Sequence, residues 1–196
     1  FRDLVAYQLS DDEPNSPLFN KMKFDVIIGN PPYQLKDGGN EASAKPIYQY
    51  FVQQAIKLNP RFLVMIIPSR WFAGGKGLDD FRDKMLKDKR IRIIHDYINA
   101  KDCFPGVEIK GGVNYFLWDR DNKGKCEINS YENNVLISTS KRYLLEENLN
   151  IFVRDNFGIN ILKKILLINK KSFSEIITSR KPFGLPTNNR GHKKSS

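Results

Sequence analysis

The sequence has few of the residues that build metal and disulfide sites. Only two cysteines and two histidines occur among its 196 residues. Cys103 and Cys126 do not have a metal-type spacing, and we interpret both as reduced thiols of a cytoplasmic protein. We therefore expect neither a metal site nor a disulfide framework.

Long hydrophobic runs are also missing. No stretch of about 18 apolar residues and no signal peptide occur, so membrane insertion and secretion are not expected. Hydrophobic residues make up 40% of the chain, enough for a core. The length fits one domain plus part of another.

The most informative segment has the sequence Asn-Pro-Pro-Tyr and spans residues 30–33. It directly follows Phe24–Gly29, which is predicted to be a buried strand. Ligands of open α/β sheets bind at the carboxyl ends of strands. Pro31 and Pro32 stiffen the loop and lack N–H donors. Asn30 and the Pro31 carbonyl thus remain as acceptors and Tyr33 as an aromatic platform, a combination that suits a planar base with an exocyclic amine.

This motif after a hydrophobic strand resembles the catalytic motif of N6-adenine methyltransferases. The resemblance implies S-adenosylmethionine as cofactor, with Asn30 next to it, and double-stranded DNA as substrate. It further implies that Asn30 and the Pro31 carbonyl accept hydrogen bonds from the adenine amine, that Pro32 completes the motif, and that Tyr33 stacks on the flipped base.

A second resemblance lies between residues 103 and 118. Phe104-Pro105 resembles the aromatic that the family places before its antiparallel strand and packs against the target adenine. The alternative is that Phe104 closes the edge of the core. The segment Val107–Trp118 resembles fused restriction–modification methyltransferases, which implies a restriction–modification system and a nuclease in the same polypeptide.

Two basic residues are further candidates for substrate contact. Arg70 follows a predicted strand, where it would contact the DNA backbone or form a wall of the pocket; the alternative is a strand-end loop capped by Trp71. Lys110 would reach a phosphate, or is simply an exposed loop lysine. Ser69 has no nucleophile elbow, so hydrolase chemistry is not supported, and His95 is interpreted as structural.

The charge distribution agrees with a nucleic-acid partner. The formal net charge is +10, and the residues from Lys141 onward contain twelve Lys and Arg against four Asp and Glu. This excess fits phosphate contact, although basic surfaces also serve solubility. We favour nucleic acid, mainly because of the Asn-Pro-Pro-Tyr motif.

Alternating patterns predict an α/β fold. Helices are predicted from Pro46 to Leu58, with Ile47, Tyr50, Phe51, Ala55 and Leu58 on one face, and over 78–87 and 159–168. Strands are predicted at 62–67, which would be buried on both faces, and at 91–98, 112–118, 125–130 and 135–140. The connection 99–111 is short and contains no predicted helix, whereas a parallel crossover needs a dozen or more residues that are usually helical, so strand 112–118 should run antiparallel. The resemblance implies that it lies between its two predecessors.

The resemblance implies a Rossmann-like methyltransferase sheet, of which this chain would be the C-terminal half. The family holds its cofactor with a Gly-rich turn and an acidic residue before the motif strand, whereas residues 1–22 contain no glycine. We therefore expect a fragment that is inactive alone. Residues 1–140 would be the partial catalytic domain, and 141–196 a basic linker and the start of a target-recognition region, which would begin near Ser172.

Other functions remain open at this stage. The same motif is used to methylate a glutamine amide in proteins or adenine in RNA. The long basic region after Lys141 favours DNA weakly. A non-catalytic DNA-specificity module is a further alternative, against which the intact Asn30 and Tyr33 weigh, because such a module does not need them.

Overall fold

The computed structural model describes residues 23–35, 45–147, 149 and 151–168. The chain divides into two compact units, residues 1–156 and residues 157–196. The glycine-free segment 1–22 and the region from Ser172 onward lie outside the described residues. What we expect of the cofactor turn and of the target-recognition region therefore stays a prediction.

The first unit is built on one mixed sheet of six strands. Their order across the sheet is β1-β2-β4-β3-β5-β6. The strands are β1 (Val26–Gly29), β2 (Phe62–Pro68), β3 (Ile91–Tyr97), β4 (Val113–Asp119), β5 (Cys126–Glu132) and β6 (Val135–Arg142). β1 is parallel to β2, β3 is parallel to β5, and β6 returns antiparallel to β5.

Strand β4 lies between β2 and β3 and runs antiparallel to both. This confirms the orientation and the position predicted for it. The preceding connection contains only a short 3₁₀ turn, Ala100–Asp102. Gly112 allows the tight entry into β4, since its φ is +80° and a Cβ atom there would lie 2.1 Å from the carbonyl oxygen of Tyr97. Strands β1, β2, β3 and β5 therefore share one carboxyl edge, where β4 begins.

Helices α1 (Tyr48–Lys57) and α2 (Asp79–Lys87) pack on one face of the sheet. In α2, Phe81 and Met85 are buried. The predicted start of α1 was wrong, and of its predicted apolar face only Ala55 is buried. Pro46 pairs with Gln34 in an isolated bridge before the helix, and Tyr50 is 46% exposed. The buried residues of α1 are Tyr48, Gln49, Val52 and Ala55.

Burial differs between the two faces of the sheet. On the helix-covered face of β2, Leu63, Met65 and Ile67 are buried, whereas the residues between them are only half-buried. Val26 and Ile28 of β1 are 50% and 75% exposed. The predictions that β1 is buried and that β2 is buried on both faces were therefore wrong for the described residues, because α1 and α2 cover only one face.

After β6 the chain returns to the core of the first unit, where Leu144 and Phe152 are buried. In the second unit, α3 (Gly158–Ile168) confirms the helix predicted there. None of the helices that the structure describes has the length and apolar character needed to span a membrane.

Candidate functional site

The Asn-Pro-Pro-Tyr loop (residues 30–33) follows β1 at the carboxyl edge of the sheet. Pro31 is buried and Tyr33 half-buried, whereas Asn30 and Pro32 are exposed. The loop is thus anchored by two of its residues while the Asn30 carboxamide faces solvent. An exposed amide on an anchored loop is available to a ligand.

Backbone pairing fixes the end of this loop against the start of α1. The amide of Ile47 donates to the carbonyl of Tyr33 at 3.1 Å, and the amide of Leu35 donates to the carbonyl of Lys45 at 3.2 Å. Between them, Gln34 and Pro46 form an antiparallel bridge. This pairing holds the backbone of Tyr33 at the N-terminus of α1.

The ring of Tyr33 is supported from behind by aromatic residues. It meets the ring of Tyr48 edge-on, with centroids 6.5 Å apart at 83°. The ring of Tyr48 contacts that of Phe81, which in turn contacts the ring of Trp71, and in both pairs the ring centroids are 6.0 Å apart. Edge-to-face pairs of this kind are favourable beyond the area they bury. Tyr33 is therefore the outer end of a row of rings that continues into the core.

The Tyr33 hydroxyl is buried and has no hydrogen-bond partner among the described residues. Burial raises its pKa to about 12, and the nearby thiol of Cys103 adds to the rise. The hydroxyl is therefore neutral at physiological pH and is not suited to proton transfer. What Tyr33 offers a ligand is its ring.

Tyr33→Phe in the full-length protein tests this description. Removing an unpaired buried hydroxyl should leave the free energy of unfolding unchanged or raise it by up to about 1 kcal/mol. Between pH 10 and 12 the wild type should lose stability relative to the variant, because Tyr33 ionises near its ordinary pKa of 10.0 in the unfolded chain and only near 12 when folded. Urea unfolding at several pH values measures both effects. A loss of more than 1 kcal/mol at neutral pH would show that the hydroxyl has a partner.

The loop that carries Phe104 lies near Tyr33, since Cys103 is close enough to affect the tyrosine's pKa. Phe104 is half-buried, and its amide donates to the carbonyl of Ala100 at 2.8 Å. Among the described residues its ring contacts no other aromatic ring. The structure thus brings the Phe104 loop to the Tyr33 site and leaves part of the Phe104 side chain accessible.

Arg70 lies near the same site. It belongs to a 3₁₀ turn, Ser69–Phe72, that follows β2, and it is the only exposed residue of that turn. Burial raises the pKa of Tyr48, and the positive charge of Arg70 opposes this rise. Arg70 is therefore within electrostatic range of the residue that supports Tyr33. Lys110 is exposed in the loop before β4, and no described contact connects it to Tyr33.

His95 lies in the middle of β3 and is not at this edge. Its ring stacks on Tyr115 at 4.5 Å, and its Nδ1 lies 3.1 Å from the hydroxyl oxygen of Tyr131. Burial lowers its pKa, an effect that the charge of Glu127 partly opposes. These contacts agree with the interpretation of His95 as a structural residue.

The sequence analysis did not identify the supports of the site. Tyr48 was missed because the apolar face of α1 was assigned to the wrong residues. A buried polar group formed by Ser69, Asp96, Asn114 and Arg154 was also missed. The available signal was Asp96 itself, the one acidic residue of strand β3. Its partner Arg154 is 58 residues away in sequence, so no local pattern connects the two.

Comparison with known proteins gives a consistent family. Residues 5–104 match the Eco57I restriction-modification methylase family. An "uncharacterized adenine-specific methylase" of Mycoplasma pneumoniae is 42% identical in an alignment of 176 positions that covers 84% of this chain and 42% of that protein. The chain thus spans about two fifths of the length of this curated relative.

Solved structures with similarity to this chain include two from type I restriction enzymes. A modification subunit of a putative type I restriction enzyme from Vibrio vulnificus is 14% identical with a TM-score of 0.41, over 88% of this chain and 40% of that one. The EcoKI M protein is 20% identical with a TM-score of 0.39, over 59% of this chain and 27% of its own. The family match and the Mycoplasma relative carry the assignment: the chain belongs to the Eco57I restriction-modification methylase family.

Proposed function

We propose that the protein transfers a methyl group from S-adenosylmethionine to N6 of an adenine in double-stranded DNA, as part of a restriction–modification system. The observation that carries this proposal is the Asn-Pro-Pro-Tyr loop, with Asn30 exposed while Pro31 and Tyr33 are anchored. Family membership and the name of the Mycoplasma relative, an adenine-specific methylase, support the same reaction.

The chemistry needs hydrogen-bond acceptors more than it needs acids or bases. The exocyclic amine of adenine is a weak nucleophile because its lone pair is delocalised into the ring. The Asn30 side-chain oxygen and the Pro31 carbonyl accept hydrogen bonds from this amine, draw it towards tetrahedral geometry and stabilise the positive charge that develops on it. A loop stiffened by two prolines holds both acceptors in place and orients the amine for in-line transfer.

The target base must leave the duplex to reach these acceptors. Flipping costs a few kcal/mol, which stacking in the pocket offsets. Tyr33 provides one aromatic surface, supported from behind by Tyr48. Phe104, in the neighbouring loop, provides a second contact with the base. Together they would hold the adenine with its amine at Asn30.

When bound, S-adenosylmethionine supplies a methyl group on a sulfonium that is a good leaving group. The exposed carboxamide of Asn30, at the end of β1, fits a position between base and methyl donor. It is the only described residue that we assign to the cofactor. We therefore expect the 196-residue chain to be inactive by itself.

Contacts with the DNA backbone come from basic residues in this proposal. Arg70 is exposed beside Tyr48 and would contact a phosphate near the flipped base. Lys110 would contact a more distant phosphate from its exposed loop. The basic region from Lys141 onward would add sequence-independent affinity. A restriction nuclease in the same polypeptide is a further proposed partner.

A methyl-transfer assay with the full-length protein tests the proposed reaction directly. It is incubated with S-adenosylmethionine carrying a tritiated methyl group and with unmethylated genomic DNA, total RNA or a protein lysate in parallel. We expect label in DNA, and mass spectrometry of its nucleosides should identify N6-methyladenine. Label that enters only RNA or protein glutamine would overturn the DNA assignment, and DNA binding without any label would favour a specificity module.

A further inference from the structure

An ion pair with a buried carboxylate lies at the carboxyl edge of the sheet, next to the proposed site. Asp96, near the end of β3, is 1% exposed. Arg154 binds its carboxylate with two hydrogen bonds, Nε to Oδ2 at 2.5 Å and Nη2 to Oδ1 at 2.8 Å. A buried carboxylate is unfavourable unless it is paired and hydrogen-bonded. Arg154 and Asp96 therefore hold each other in one geometry.

The same carboxylate holds the first residue of the turn that carries Arg70. The hydroxyl of Ser69 donates to Asp96 Oδ1 at 2.8 Å and accepts from Asn114 Nδ2 at 3.1 Å. The Ser69 amide donates to the carbonyl of Gly112 at 2.9 Å. Ser69 is thus attached to β3 and to the start of β4.

Arg154 also reaches the last residue of that turn. Its guanidinium lies over the ring of Phe72, 5.8 Å from the centroid. Phe72 packs against Phe152 and Trp71, with centroid distances of 4.5 Å in both cases. The Ser69–Phe72 turn is therefore held at both ends, and one side chain, Arg154, contributes to both.

This arrangement leaves the Arg70 side chain only one direction, towards solvent. Ser69, Trp71 and Phe72 are 3%, 0% and 6% exposed. With three of the four residues of the turn facing inward, the remaining side chain must face solvent. It does so beside Tyr48, whose ring contacts Tyr33.

We propose that Asp96 and Arg154 are positioning residues, which hold the Ser69–Phe72 turn so that Arg70 is presented to a DNA phosphate beside the Asn-Pro-Pro-Tyr loop. This inference rests on the proposed function. It gives a role in substrate binding to two residues that lie behind the turn and do not touch the substrate. Arg154 comes from the segment after β6, so that segment contributes to the site through Asp96.

The chain offers a matched control at the opposite end of β3. Arg90 binds Asp88 with two hydrogen bonds of 2.8 Å, and its side chain is 32% exposed, close to the 31% of Arg154. Asp88 also accepts a hydrogen bond from Trp118 Nε1 at 2.9 Å. Arg154→Lys and Arg90→Lys therefore make the same chemical change at the two ends of one strand, and only the former lies near Arg70.

The first test is a double-mutant cycle on DNA methylation by the full-length enzyme. Arg70→Ala and Arg154→Lys should each raise KM for DNA on the order of tenfold with kcat nearly unchanged. The double variant should be no worse than Arg70→Ala alone, because Arg154 acts through Arg70. Arg90→Lys should leave KM unchanged. Ser69→Ala is a milder variant that should show the same KM effect in smaller measure, in case Arg154→Lys fails to fold.

The second test does not depend on activity. With 5-fluorotryptophan in the full-length protein, the fluorine resonance of Trp71, assigned with Trp71→Phe, should shift in Arg154→Lys while that of Trp118 does not. Arg90→Lys should give the reverse. A wild type that does not methylate DNA would overturn the proposed function without affecting this readout. An unmoved Trp71 resonance, or KM effects of Arg70→Ala and Arg154→Lys that multiply, would overturn the positioning role.

Discussion

Asn30→Ala in the full-length enzyme should lower kcat for DNA methylation by about 10²–10³-fold or more. In other enzymes, removal of one preorganised hydrogen-bond partner of the transition state has an effect of this size. The side-chain oxygen of Asn30 is expected to bind the amine most strongly when positive charge develops on it. Its loss should therefore affect the chemical step much more than the affinity for DNA or for S-adenosylmethionine.

Single-turnover kinetics with saturating cofactor and DNA measure the chemical step directly, and calorimetry measures cofactor affinity. Asn122→Ala is a suitable control, because Asn122 is an exposed asparagine in the turn after β4, at the amino edge of β2 and β3. It should retain wild-type rates. Near wild-type turnover in Asn30→Ala would remove Asn30 from the mechanism, and loss of cofactor binding with an unchanged chemical step would restrict its role to holding the cofactor.

The fold could be predicted well wherever local patterns determine it. The orientation of β4 was predicted from the connection before it, because those 13 residues contain no predicted helix and a parallel crossover usually contains one. Burial was predicted less well. The apolar side chains of β1 predicted a buried strand, yet Val26 and Ile28 are exposed on the face that α1 and α2 do not cover. A hydrophobic pattern indicates which residues favour burial, but it does not indicate which element covers them.

The residues of the candidate site likewise include some that local sequence patterns predicted and some that they did not. The Asn-Pro-Pro-Tyr loop could be located from sequence because its residues are contiguous and the preceding strand fixes their place. Arg70 and Phe104 could be proposed because both follow or precede strands at the shared carboxyl edge. The supports, Tyr48 and the Asp96–Arg154 pair, could not be predicted. They depend on side-chain contacts between segments far apart in sequence. Tyr48 was missed because the apolar face predicted for α1 did not include it.

Tyr33→Ala should weaken capture of the extrahelical adenine by about 1–3 kcal/mol, the usual contribution of base–aromatic stacking. The ring contacts Tyr48 edge-to-face and lies near the Phe104 loop, so its removal should leave one side of the proposed pocket open. Phe104→Ala should have a smaller effect, since we propose that Phe104 contacts the base edge-on and does not stack on it. Both losses should shrink when the target adenine is opposite a mismatch or an abasic site, because less flipping energy then has to be recovered.

Fluorescence of 2-aminopurine at the target position measures this capture in the full-length enzyme, because it rises when the base leaves the stack and falls when the base stacks on an aromatic ring. The bound complex should be brighter with Tyr33→Ala than with wild type, and less so with Phe104→Ala. Tyr33→Phe keeps the ring and loses only an unpaired hydroxyl, so it should match the wild type. If Phe104→Ala changes neither the fluorescence nor the dependence on mismatches, Phe104 only closes the edge of the core and the base stacks on Tyr33 alone.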